Sequence, residues 1–174
     1  MDTANFLFLR DSKVKYPEHF RNCNVLDIGC KSSPNFREFF TDNCTFIGVD
    51  MASGEKVDIV CRGQDTVFPE KHFDTMLCFS VFEHDPDWRN ILIHNLPFLK
   101  DGALIFLCWG AEGNESHDPT PWAIVPEQEF KDFVKTLPLE FVDGFFEIGT
   151  YDGVPDPCRG AYDAVLRVKR EDGG

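Results

Sequence analysis

The chain has 174 residues, 43% of them apolar, and a formal net charge of −13. That length suits the core of one domain rather than two, and its longest apolar runs are strand-sized, too short to span a membrane. The segment from Asp101 to Asp163 sets thirteen acidic residues against Lys131, Lys135 and Arg159; a surface of that kind repels phosphate backbones and argues against DNA or RNA as substrate, unless the excess merely solvates the surface.

The opening Met1-Asp2-Thr3-Ala4-Asn5 lacks the basic stretch of a secretory leader. Seven cysteines form an odd set with no C-x-x-C spacing, and several fall inside apolar runs, where free cysteine acts as a small hydrophobe. A reduced, cytoplasmic protein is expected.

Apolar runs alternate with longer amphipathic stretches, the pattern of β/α units on a parallel sheet. In chain order, strands are predicted over Val25–Ile28, Thr45–Val49, Asp58–Val60, Thr75–Phe79, Ala103–Trp109, Phe141–Ile148 and Ala161–Val168. Helices are predicted over Ser33–Phe40, Pro86–Phe98 and Pro126–Thr136. No helical pattern separates the last two strands, so they must pair antiparallel or lie apart. Residues 1–174 read as one domain, with an N-terminal segment over 1–20, a substrate-side loop over 109–123 and a frayed tail over 170–174.

Two of the strands end on carboxylates. Val25-Leu26-Asp27-Ile28-Gly29-Cys30 closes on an acid and a glycine, and Gly48-Val49-Asp50 closes on an acid about twenty residues later. A glycine turn lets a ligand approach bare backbone, and a carboxylate at the next strand end suits the hydroxyls of a ribose. A lone glycine is weak by itself, because many βα turns carry one. Ser80-Val81-Phe82-Glu83-His84 then leaves a buried strand at the edge where open α/β sheets hold ligands, and Leu99-Lys100-Asp101-Gly102 precedes another buried strand.

With these four segments in this order, the chain resembles the class I S-adenosylmethionine-dependent methyltransferases, in their small single-domain branch, over residues 20 to 170. The resemblance implies a doubly wound, Rossmann-like α/β sheet, mostly parallel with an antiparallel C-terminal strand pair, and S-adenosyl-L-methionine as cofactor. It implies that Asp27, Gly29, Cys30 and Lys31 flank the methionine end and that Asp50 and Met51 hold the ribose and edge the adenine. Gln64 and Asp65 would lie against the adenine, and Phe79 and Ser80 beneath the sulfonium. His84, Trp109, His117 and Trp122 would face the substrate, with His117 as a general base where the acceptor must lose a proton.

Three positions depart from the family pattern: Lys31 and Ser33 stand where further glycines are usual, and Arg62 where an acid contacts adenine. A buried, unpaired arginine would be costly, so Arg62 is expected to point outward. The cluster Glu83-His84-Asp85-Pro86-Asp87 invites a metal reading, but sequence neighbours do not all aim inward, and Asp85-Pro86 reads as a helix entry; no metal is expected. The leading expectation is a methyltransferase acting on a small molecule. The alternatives are a catalytically weak or inactive methyltransferase-like module acting as a partner or regulatory subunit, and a nicotinamide-binding oxidoreductase; the partners open to the chain are a small-molecule substrate and a protein partner or homo-oligomer.

Overall fold

The computed structural model describes residues 2–110, 125–143, 150–151, 154–155 and 161–170. Its strands are β1 (Asn24–Ile28), β2 (Thr45–Asp50), β3 (Ile59–Val60), β4 (Phe73–Phe79), β5 (Leu99–Gly110), β6 (Leu139–Asp143), β7 (Thr150–Tyr151), β8 (Val154–Pro155) and β9 (Ala161–Val168). Seven of them form one sheet in the order β3-β2-β1-β4-β5-β9-β6, with β7 and β8 pairing separately. The strands β1 to β5 run parallel, and β9 runs antiparallel to both β5 and β6. This is the expected doubly wound, mostly parallel α/β sheet with an antiparallel end.

The central strands are buried on both faces, as parallel sheets demand, and their side chains sort with period two. Leu26, Ile28, Met76, Cys78, Ile105, Leu107 and Trp109 meet the helices α2 (Trp88–Asn95) and α3 (Glu127–Lys135) through Trp88, Ile91, Leu92, Phe130 and Val134. Val25, Leu77, Phe79, Leu104, Phe106 and Cys108 face the other way, onto Phe8, Leu9, Phe20, Phe36 and Phe39.

That second face holds two departures from the sequence reading. Residues 33–40 form only a 3-10 turn, Phe36–Phe39, in place of the expected helix. A 3-10 turn stacks residues i and i+3, which seats Phe36 and Phe39 together against the sheet. The layer is completed by a helix that the sequence does not announce, α1 (Asp2–Lys15). Its inward stripe is Asn5, Phe8, Leu9, Ser12 and, just beyond it, Tyr16, all buried. Two of those five are polar, and Val14 is exposed, so the helical period does not show as an apolar period. No helix among the described residues is long and apolar enough to cross a membrane.

Phe106 is fully buried and lies within ring-contact range of Phe8, Tyr16 and Phe20. Phe106→Ala is expected to lower stability by about 3–5 kcal/mol, read as a shift in the urea unfolding midpoint.

Candidate active site

The carboxyl ends of β1, β2 and β4 meet at a cavity of about 310 Å³, at the lower end of the ~300–1,000 Å³ typical of ligand pockets. Ile28, Val49, Met51 and Ile91 supply apolar walls, and Gly29, Ser32, Asp50, Gln64, Ser80, His84 and Asp85 supply polar ones, with Cys61, Gly63 and Val81 between them.

The first turn spends its backbone donors internally. The amides of Gly29 and Cys30 both donate to the Val49 carbonyl, at 2.8 and 3.3 Å. The Lys31 amide donates to Asp50 Oδ2 at 3.1 Å, and the Ala52 amide to Oδ1 at 3.0 Å. Gly29 has φ +81°, and a Cβ there would lie 2.2 Å from Val81 Cγ2. Its bareness therefore serves a left-handed turn and the seat of Val81. A dinucleotide needs its pyrophosphate cradled by free amides and a helix N-terminus at this turn. Here those three amides are engaged and the next segment is a 3-10 turn, which argues against the nicotinamide reading.

The predicted site residues divide. Gly29, Asp50, Met51, Gln64, Ser80 and His84 line the cavity. Asp27 is buried beside it on the α1 face of the sheet. Cys30 points away, its Sγ donating to the Lys56 carbonyl at 3.4 Å, and burial pushes its thiol up to about 12. Lys31 is exposed and outside the lining, with its stem against Gly54, where an added Cβ would be 3.1 Å from Lys31 Cγ. Asp65 is exposed on the outer side of its turn. Phe79 is a core ring between Phe8 and Phe36. Trp109 is fully buried, its indole N–H donating to the Val125 carbonyl at 3.1 Å amid Phe82, Phe130 and Tyr162; core packing, not substrate, occupies that ring. His117 and Trp122 lie outside the described residues.

Arg62 points outward, half exposed, with its guanidinium 3.1 Å from Asp85 Oδ2. Gln64 Nε2 donates to that same oxygen at 2.9 Å. Burial would raise Asp85, but the bonds from Gln64, the Asp87 amide and Arg62 outweigh it and hold the carboxyl below its ordinary range. Among the described residues no group of three or more His, Cys, Asp or Glu side chains is placed to hold a metal ion.

Sequence reasoning passed over Asn5; it read Val81 only within the Ser80–His84 motif, and Glu83 only there and in the cluster weighed for a metal. Asn5 rises from α1 to donate to Ser80 Oγ at 3.4 Å, and Ser80 itself sits at φ +57°. That left-handed backbone is unusual for a non-glycine residue and is of the kind that gathers at functional sites. Buried oxygens without hydrogen-bond partners occur at Asn5 Oδ1, Asp27 Oδ1, Gln64 Oε1 and both oxygens of Glu83. Burial pushes Asp27 up to about 8, against the pull of Arg37 and Lys56. Burial likewise pushes Glu83 up to about 7, against nearby amides of Glu83 and Gly110. All five atoms belong to residues at or next to one edge of the sheet, where orphaned polar groups are otherwise rare.

For Glu83 the folded state keeps its proton after the unfolded chain has released its own. The stability tied to the neutral carboxyl is full below pH about 4.5 and is lost as pH rises toward about 7. Glu83→Gln is expected to recover about 3 kcal/mol at pH 8 relative to pH 4, measured as the difference between variant and wild-type urea midpoints at the two pH values.

The sequence profile of the methyltransferase domain family matches residues 1–125. No curated protein sequence matches the chain. Among solved structures, the Burkholderia thailandensis 1,6-didemethyltoxoflavin-N1-methyltransferase, with 1,6-didemethyltoxoflavin and S-adenosylhomocysteine bound, superposes at TM-score 0.72 and 17% identity, over 97% of this chain and 80% of its own. A Methanosarcina mazei S-adenosylmethionine-dependent methyltransferase gives 0.68 and 16%, over 90% and 98%. A Haloferax volcanii methyltransferase, solved in complex with the activator Trm112, gives 0.64 and 13%, over 95% and 96%. With its sheet order, its antiparallel ending and a family profile spanning most of its length, the chain belongs to the class I S-adenosylmethionine-dependent methyltransferase family.

Proposed function

We propose that this chain transfers a methyl group from S-adenosylmethionine to a small-molecule acceptor, with the nucleoside of the cofactor in the cavity at the ends of β1, β2 and β4. One observation carries the reading: a carboxylate at the β2 end stands beside apolar walls in a cavity of about 310 Å³. When bound, S-adenosylmethionine supplies a methyl carbon made electrophilic by its sulfonium. The chain's own task is then alignment and exclusion of water.

Each Asp50 oxygen accepts one amide and keeps acceptor capacity for a ribose hydroxyl. Ile28, Val49, Met51 and Ile91 offer flat apolar contact to a purine, and Gln64, held by Asp85, forms its polar border. The unpaired oxygens of Asp27 and Asn5 suit an ammonium. Lys31 stands clear of the cavity, so the altered glycine loop does not obstruct it. His117 follows β5, whose carboxyl end lies at the same sheet edge, and serves as general base where the acceptor carries a proton. The acidic surface and the small molecule held by the Burkholderia neighbour support a small, non-nucleic-acid acceptor, and cysteines outside any disulfide among the described residues suit the cytoplasm.

A second reading, a module working with a protein partner, is favoured by the outermost strand. Its Ile59 and Val60 are exposed beside Met51, leaving an open apolar sheet edge. The Haloferax neighbour with its activator is in keeping with this reading.

Calorimetric titration with S-adenosylmethionine and S-adenosylhomocysteine tests the enzyme reading. Binding is expected in the wild type, weakened about tenfold or more in Asp50→Ala and changed by less than about threefold in Lys31→Gly. Absence of heat at millimolar ligand would sink it.

A further inference from the structure

At the opposite, amino-terminal edge of the sheet two thiols face each other. Cys23 Sγ and Cys44 Sγ are 3.2 Å apart, inside the contact distance of two unbonded sulfurs. The residues stand immediately before β1 and β2, one place ahead of the paired Asn24 and Thr45. The Cys23 carbonyl already accepts the Thr45 amide at 3.0 Å. Adjacent strands lie about 4.8 Å apart, within the Cα spacing a disulfide tolerates. Among the other described cysteines, Cys78 and Cys108 point to opposite faces of the sheet, and Cys30 turns to the Lys56 carbonyl.

We propose that Cys23 and Cys44 are a modification site, a dithiol that closes to a disulfide on exposure to a low-molecular-weight disulfide. Cys44 is half-buried and reached from solvent, whereas Cys23 is buried and its Sγ donates to the His19 carbonyl at 3.4 Å. Burial, with the neighbouring Cys44, raises the Cys23 thiol well above its ordinary range, which leaves Cys44 as the thiol that engages the oxidant. The Cys44 thiolate attacks one sulfur of the oxidant's disulfide, forming a mixed disulfide and releasing one small thiol. Cys23 then attacks the Cys44 sulfur, the Cys23–Cys44 bond forms, and the second small thiol leaves. Two protein thiols are oxidised, one disulfide is reduced, and the two protons leave on the released thiols.

The bond would close residues 24–43 into a loop. That loop holds β1, Asp27, the Gly29 turn and the 3-10 turn at Phe36–Phe39, so the cross-link restrains in the unfolded chain the segment that builds one wall of the cavity.

The test takes the full chain, reduced with dithiothreitol and then exposed to oxidised glutathione. Expected results are an intact mass lower by two hydrogens, a non-reduced peptide joining Cys23 to Cys44, and a melting temperature raised by roughly 6–12 °C that falls back on reduction. Cys44→Ser, a change on the accessible side, is expected to lose both the link and the shift. A stable glutathione adduct on Cys44 with Cys23 still open to alkylation after denaturation, a link between other cysteines, or an unchanged melting temperature would each overturn the proposal.

Discussion

The Val49 carbonyl governs the carboxyl edge of this protein. It accepts the amides of Gly29 and Cys30, and the neighbouring Asp50 carboxylate accepts that of Lys31. The β1–β2 ladder thus continues past the end of β1 and pulls the turn flat against β2. Asp50 comes to the cavity rim, Lys31 swings toward Gly54, and Gly29 takes the left-handed conformation that lets Val81 lie over it. A turn so tied offers little to a diphosphate, yet it leaves a carboxylate in place for a diol. The choice between adenosine cofactors therefore rests on where a few amides donate rather than on the count of glycines in the loop.

The same edge concentrates the molecule's unsatisfied chemistry. Asp27 and Glu83 are carboxyls taken from water, and desolvation favours their neutral forms. Such groups cost stability wherever they occur. Their gathering where β1, β4 and β5 leave the sheet, and not in the twin aromatic cores, fits a site that trades stability for binding.

The helical layer is thin on one side. Where a helix is expected after β1, the structure has a single 3-10 turn, and α1 covers the remaining face with Phe8 and Leu9 while passing Asn5 to Ser80. One short helix thus serves both as core cover and as a contact to the site, which couples the start of the chain to the end of β4.

The placement of β1 to β5 and of β9, the parallel sheet and its antiparallel ending were legible in the residue pattern, because strands buried on both faces read as continuous apolar runs; of the strand expected over Phe141–Ile148, residues 144–148 lie outside the described residues. So was the pairing of Gly29 with Asp50, since both lie at strand ends at a spacing set by one β-turn-β unit. Three things were decided only by packing. Helix α1 carries polar Asn5 and Ser12 on its buried stripe, so its period is invisible in hydropathy. Phe79 and Trp109 are apolar whether they line a pocket or a core, and the alternation of side chains sends both into the core. The third is the direction of Lys31 and Cys30, which depends on partners distant in the chain (Gly54 and Lys56). The linear sequence determined which elements form and which residues share a strand end, because those are local properties. Which side chains face one another across the sheet edge followed from the register of β1 against β2 and β4, and register exists only once the strands have paired.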